Sequence, residues 1–271
     1  MVVAFEGWND AGDAASSAAT YLADAWQARK FASIDPEEFF DFTTTRPQVR
    51  LIDGVTRRID WPTNEFRAAA IPGTTRDVVF LHGTEPQLRW RTFSAAVLGV
   101  AQSLAVEMVV TLGALLAEVP HTRPVRVTGT AVDTELVTRL GLQHSQYEGP
   151  TGIVGVLHDA LSRAGIASAS LWATVPHYVG QTPSPKAALA LVERTAELLE
   201  APVVTTDLDL ASAAYERQVS EAVEADEDAA AYVQSLEEGD QEGEDEFPLH
   251  PQEGDALAAE VERFLREHGA G

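Results

Sequence analysis

Short apolar runs recur through the first 205 residues, at 2–5, 31–34, 49–52, 66–71, 77–82, 107–112, 125–129, 169–175 and 202–205. Their length and composition predict strands. Between several of them, apolar residues spaced three and four apart predict helices at about 13–28, 91–104, 131–140, 151–164 and 184–200. Strands alternating with helices predict an α/β fold with a mostly parallel mixed sheet. The stretch 49–71 breaks this rhythm. Arg50 to Arg57 reads as a β-hairpin, because Asp53-Gly54 suits a two-residue turn, so an antiparallel excursion is set into a parallel core.

After Asp207 the period changes. Leu208, Ala211, Tyr215, Val219, Ala222, Asp226, Ala229, Val233 and Leu236 form one stripe of a long helix, with a charged break at Asp226. Residues 237–255 are dense in Asp and Glu and read as an acidic linker. Ala256 to His268 can form a last short helix, with Leu257, Val261, Phe264 and Leu265 on one face. The expected organisation is an α/β domain over 1–206, a long amphipathic helix over 207–236, and an acidic linker with a terminal helix over 237–271. The apolar stripe must be buried on its own core or on a neighbouring subunit.

Charge sharpens this division. The 271 residues carry a net charge of −23, and residues 216–271 place 18 acidic side chains against three arginines. That is −15 for the extension and −8 for the rest. Such a balance excludes nucleic acid and anionic membrane as expected partners, since both need clustered positive charge. No apolar run approaches the ~18 residues of a membrane span. Apolar residues begin at once with no basic segment before them, so no signal peptide is expected. Cysteine is absent, which excludes disulfides, thiol catalysis and Cys-zinc sites, and a cytoplasmic location is the default.

Candidate chemistry gathers where strands end. Val2 to Phe5 runs into Glu6-Gly7-Trp8-Asn9-Asp10-Ala11-Gly12-Asp13 and then an Ala-rich helix. Ligands in α/β proteins often bind at such a strand-to-helix loop. Three carboxylates there suit a cation, a hydroxyl or an amine better than a phosphate, with Glu6 or Asp10 as general base or metal ligand. The plain alternative is that Asp13 caps the helix, Asn9-Asp10 fix a turn and Trp8 packs. His82-Gly83-Thr84-Glu85-Pro86 ends a second strand. His82 and Glu85 can share proton transfer, or the segment is a tight turn with Pro86 at a helix start and Trp90 in the core. Arg123, in His121-Thr122-Arg123-Pro124, can bind a carboxylate or phosphate, or pair with a surface acid. Gly149-Pro150-Thr151-Gly152 opens a helix whose amides either receive a ligand or take an ordinary cap at Thr151 or Gly149. The candidate pocket is therefore Glu6, Asn9, Asp10, His82, Gly83, Glu85, Arg123, Gly149 and Thr151. No metal site and no cofactor are expected: the loop spacing matches no calcium loop, and no Gly-x-Ser-x-Gly, His-Glu-x-x-His, Gly-x-Gly-x-x-Gly or Walker pattern occurs.

Four segments in order also resemble one family. Phe5-Glu6-Gly7-Trp8-Asn9-Asp10-Ala11-Gly12, Leu81 to Pro86 with Trp90, Val119 to Pro124 leading to Thr128-Gly129-Thr130, and Tyr147 to Gly152 are similar to the PAC2 (proteasome-assembly-chaperone-2-like) proteins of actinobacteria. The resemblance covers about residues 1–215. It implies a three-layer α/β sandwich like that of the nucleoside phosphorylases, often assembled as a trimer. It also implies a non-enzymatic assembly or interaction role, with proteasome subunits as partners. Ring-gripping members often end in a hydrophobic-Tyr-x tail. This chain ends Glu267-His268-Gly269-Ala270-Gly271, so docking by such a tail is not expected. The fold analogy also leaves a second implication, a small-molecule binder or a hydrolase- or phosphorylase-like enzyme with its pocket at the strand ends.

Overall fold

A computed structural model of the chain describes residues 1–145 and 147–239. The strands are β1 (Val2–Glu6), β2 (Arg29–Ile34), β3 (Gln48–Ile52), β4 (Thr56–Asp60), β5 (Asn64–Ala70), β6 (Asp77–Thr84), β7 (Met108–Ala117), β8 (Val127–Ala131) and β9 (Ala167–Pro176). The helices are α1 (Ala14–Ala25), α2 (Trp90–Ser103), α3 (Thr134–Leu140), α4 (Ile153–Arg163), α5 (Pro185–Leu198), α6 (Thr206–Glu224) and α7 (Glu227–Gly239). Seven strands form one mixed, mostly parallel sheet in the order β2-β5-β6-β1-β7-β9-β8, and β3 and β4 form a separate two-stranded sheet. The α/β class read from the sequence is the class observed.

β1 pairs in parallel with β6 (Val2 opposite Phe80, Glu6 opposite Thr84) and with β7 (Val2 opposite Val110). Flanked on both edges, it buries Val2, Val3, Ala4 and Phe5 alike, which explains its unbroken apolar run. β5 is antiparallel to both β6 and β2. The hairpin forms where Asp53-Gly54 predicts it: both residues take left-handed φ angles, 51° and 73°, and Val55 donates its N–H to Ile52 O.

The described chain divides into two compact units. The first comprises residues 1–8, 19–112 and 129–170. Its core includes Phe5, Phe66, Phe80, Leu81, Phe93, Leu157 and Leu161, all at most 2% exposed. Phe93 is the aromatic hub of α2, edge-on to both Phe5 and Phe39. α2 packs against α4. α4 is tied down by His158, whose Nε2 meets the Thr111 and Ser170 hydroxyls at 2.8 and 2.6 Å and whose Nδ1 meets Ser168 Oγ at 2.9 Å. Burial pushes the His158 pKa down to about 4, so the ring is held neutral.

The second unit comprises residues 9–18, 113–128 and the chain from 171 onward. Here the stripe expected on a single long helix divides between α6 and α7. Asp226 makes the break: its Oδ1 accepts the N–H groups of Asp228 and Ala229, so it caps a new helix. Tyr215, Val219, Ala222 and Val223 of α6 and Ala229 and Val233 of α7 pack on Tyr178 and Val179. Much of the stripe is therefore covered within its own unit, although Ala211 is exposed. α7 runs to Gly239, past residue 237 where the acidic linker was expected to begin. The remainder of that linker and the 256–268 helix lie outside the described residues. The strand expected at 202–205 does not form; Pro202 has no N–H to give a ladder, and the chain passes from α5 to α6 without one.

A buried polar network holds α6 in place. The Tyr178 hydroxyl accepts the His121 backbone N–H at 2.8 Å and lies 2.9 Å from His121 Nδ1. His121 Nε2 lies 3.0 Å from Ser220 Oγ, so each ring nitrogen has a hydroxyl partner. Lys186 donates to the His121 carbonyl at 2.6 Å and pairs with Glu216. Burial, helped by the Lys186 charge, lowers the His121 pKa to about 4.

Candidate functional site

In the first unit, β1 and β6 end side by side, because Phe5 lies opposite Gly83 and Glu6 opposite Thr84. The chain leaving β6 stays close to β1, as Glu85 donates its N–H to Glu6 O at 2.8 Å. A cleft of about 330 Å³ opens there, lined by Glu6, Gly7, Thr45, Thr84, Glu85, Pro86, Gln87 and Trp90. Trp8 stands at 63% exposure beside it in sequence, so it does not pack as the plain reading of the loop expects.

The carboxylates of this region are engaged. Glu6 Oε2 accepts the Thr84 hydroxyl at 3.2 Å. Glu85 Oε1 accepts the N–H of Ile153 at 3.0 Å, and its Oε2 accepts that of Trp8 at 3.4 Å. Glu85 thus supplies the N-terminal cap of α4 from 68 residues away, a place where the sequence offers Thr151 or Gly149. The adjacent Gly152 has no side chain to cap with, and a carboxylate at a helix N-terminus also meets the helix dipole favourably. We expect Glu85→Ala to lower stability by about 1–2 kcal/mol, read from the urea midpoint. An unchanged midpoint would mean that water replaces this cap without loss.

The other expected site residues of the first unit, His82, Gly83, Gly149 and Thr151, are not among those that line the cleft. His82 sits on β6 opposite Glu65, and burial, reinforced by the Arg67 charge, lowers its pKa. Gly83 lies hard against the chain entering β5: a Cβ there would lie 1.9 Å from Thr63 O. Thr151 and Gly149 are exposed, and the Tyr147 hydroxyl crosses this turn to the Pro150 carbonyl at 2.8 Å.

Asn9, Asp10 and Arg123 belong to the second unit. Asn9 O accepts the Ala114 N–H at 2.8 Å. Asp10 caps α1: its Oδ1 accepts the N–H groups of Ala15 and Ser16 at 2.7 and 3.1 Å. The cap is Asp10 and not Asp13, because Asp13 lies in the left-handed region at φ 49° and forms the last turn before the helix. Burial raises the Asp10 pKa to about 6, and its second oxygen has no hydrogen-bond partner. Arg123 is exposed on its loop.

Thr45 and Gln87 line the cleft without having been singled out. Their side chains meet, and Gln87 Oε1 also accepts the Asp41 N–H at 2.9 Å. Sequence offers no signal for that pairing across 42 residues. Among the described residues, no group of three His, Asp or Glu side chains is placed to hold a metal, and no helix is long and apolar enough to cross a membrane.

Comparison with known proteins places this geometry. The PAC2 family pattern matches residues 4–223, ending one residue before the end of α6. A PAC2 family protein from Streptomyces avermitilis is 46% identical; the match covers 86% of this chain and 99% of that one at a TM-score of 0.80. A proteasome-assembly chaperone homologue from Mycobacterium tuberculosis is 48% identical, with the same coverage and a TM-score of 0.78. The archaeal proteasome activator PbaB of Pyrococcus furiosus shares the fold at 18% identity, with 81% of this chain and 91% of that one covered and a TM-score of 0.65. No curated protein matches. With the four segments in register and the match running through most of the described chain, the protein belongs to the PAC2 family.

Proposed function

We propose that this protein is a non-enzymatic assembly factor that binds protein partners, works as a cytoplasmic homotrimer and serves the proteasome. The observation that carries this reading is the commitment of the strand-end carboxylates. Glu85 caps α4 and holds Trp8, Asp10 caps α1, and Glu6 takes the Thr84 hydroxyl. A general base must reach a substrate proton, whereas each of these groups already accepts from its own chain through at least one oxygen, Asp10 Oδ2 being the one left without a partner. The homology to a mycobacterial proteasome-assembly chaperone homologue supports the proteasome as the client. The test is to mix the purified protein with purified actinobacterial proteasome α and β subunits and follow assembly by native mass spectrometry. Complexes of the protein with subunits or half-assembled rings are expected. Subunits that assemble unchanged and without contact would overturn the reading.

The cleft favours a second reading, a small-molecule binder. Glu6, Thr84 and Gln87 beside the Trp90 ring suit a polar ligand carrying an amine or hydroxyl. A stoichiometric small molecule retained by the native protein, and lost in Glu6→Gln, would favour it over the assembly role.

A further inference from the structure

The cleft where β1 and β6 end offers a ligand acceptors and few donors. Its protons are largely committed within the chain. The Thr84 hydroxyl donates to Glu6 Oε2 at 3.2 Å, and the Gln87 side-chain amide donates to the Thr45 hydroxyl. The backbone N–H groups of Thr84, Glu85 and Gln87 go to the carbonyls of Thr63, Glu6 and Phe39, and Pro86 has none to give. The Trp90 indole N–H is spent on the Pro86 carbonyl, so its side chain lends the cleft only an aromatic ring. Glu6 Oε1 stays open: it takes no bond from the described chain, and the side chain is exposed. Among the described residues that line the cleft, two are carboxylates and none is basic.

This balance of groups selects a ligand. A carboxylate or a phosphate would face two carboxylates with few protons to meet it. A hydroxyl both donates and accepts, so half of its capacity would go unmet. A bare divalent ion needs more oxygen ligands than this cleft gathers. An ammonium group only donates, carries the opposite charge and is attracted to the face of an indole ring. The volume of about 330 Å³ suits a short chain rather than a large cofactor. We propose that this cleft binds a small primary alkylammonium compound, with Glu6 as counter-ion and the Trp90 ring as one wall. This rests on the small-molecule reading of the cleft given above and fixes the charge of the ligand. Glu85 is less free to serve as counter-ion, because its two oxygens hold the N–H groups of Ile153 and Trp8.

The test is a titration of the full chain, labelled with fluorotryptophan, against cadaverine, pentanediol and glutarate. These are five-carbon chains ending in ammonium, hydroxyl and carboxylate groups. The Trp90 resonance, assigned with Trp90→Phe, reports the cleft by fluorine NMR, and circular dichroism checks folding. Salt at about 0.15 M screens the general attraction of a chain of net charge −23 for cations. Cadaverine is expected to shift the Trp90 signal saturably. Glu6→Gln should weaken its binding at least about tenfold, since the amide still accepts the Thr84 proton but has lost the charge. Glu224→Gln, at an exposed acid of α6, should leave the affinity unchanged. Equal affinities in the unmodified protein and Glu6→Gln, or equal losses in the two variants, would overturn the proposal and reduce it to attraction toward an acidic surface. A Trp90 shift with pentanediol or glutarate but not cadaverine would overturn the ammonium while the small-molecule reading stood; silence toward all three would overturn both. A capped lysine tripeptide that binds more tightly than cadaverine would overturn the free compound and give the cleft to a lysine of a protein partner.

Discussion

Replacing Gly83 by alanine should remove at least about 3 kcal/mol of stability, or prevent folding altogether. The added methyl would sit 1.9 Å from the Thr63 carbonyl oxygen and 2.8 Å from Asn64 Cα. Both are backbone atoms of the neighbouring segment, so no side-chain rotation relieves the clash. The residue also has φ at +157°, where an L side chain is strained. The two strands would have to part, and with them the Thr84 N–H bond to Thr63 O at 3.1 Å. Gly73→Ala is the natural comparison. Its φ is +74°, yet nothing lies within 4 Å of the added atom, so only the left-handed penalty of about 1 kcal/mol applies. Urea midpoints of the two variants measure the difference directly. Equal losses would show that β5 and β6 do not approach as closely as described.

Acid should destabilise the protein well before general carboxylate protonation does. His121 and His158 each have an ordinary value of 6.5 that burial lowers to about 4. A depressed folded value means that the unfolded chain binds the proton first. The stability that each neutral ring contributes is complete above pH 6.5 and is lost as pH falls toward 4. Asp10 works in the opposite sense. Its pKa is raised from 3.8 to about 6, so the folded chain binds that proton first and gains stability as pH falls from 6 to 4. At 1.36 kcal/mol per unit, two histidines outweigh one aspartate by about 4 kcal/mol. The expected result is a urea midpoint that drops steeply between pH 6.5 and 4. His158→Gln should remove roughly half of the histidine contribution to that slope, whatever it does to stability at pH 7. A midpoint independent of pH down to 4 would show that neither ring is held neutral.

These two effects differ in how visible they are from the chain alone. The hairpin is written locally in Asp53-Gly54, and β1 announces itself as a strand by four apolar residues in succession. The work of Glu85 is not local. A glutamate before Pro86 gives no hint that its carboxylate reaches Ile153, since the helix N-terminus it caps is brought to it only by the fold. The Asp10 and Asp13 caps were separated by a backbone angle: either aspartate can cap a helix that begins near residue 14, and the left-handed φ of Asp13 decides between them. His121 reads in sequence as a loop residue, and its pairing with Tyr178 and Ser220 spans 57 and 99 residues. Periodicity finds elements, turns show where the chain reverses, and polar side chains acquire their roles from neighbours that neither reports.

The position of β1 has a kinetic side. β1 is flanked in the sheet by β6 and β7, two strands that follow it far along the chain, with Val2 opposite Phe80 and Val110. It cannot find its place until more than a hundred further residues have been made. Closing loops of that length is an entropic barrier met before any reward, and parallel pairings of this kind fold slowly. During translation Val2 to Phe5 is a bare apolar segment with no partner, open to non-native collapse.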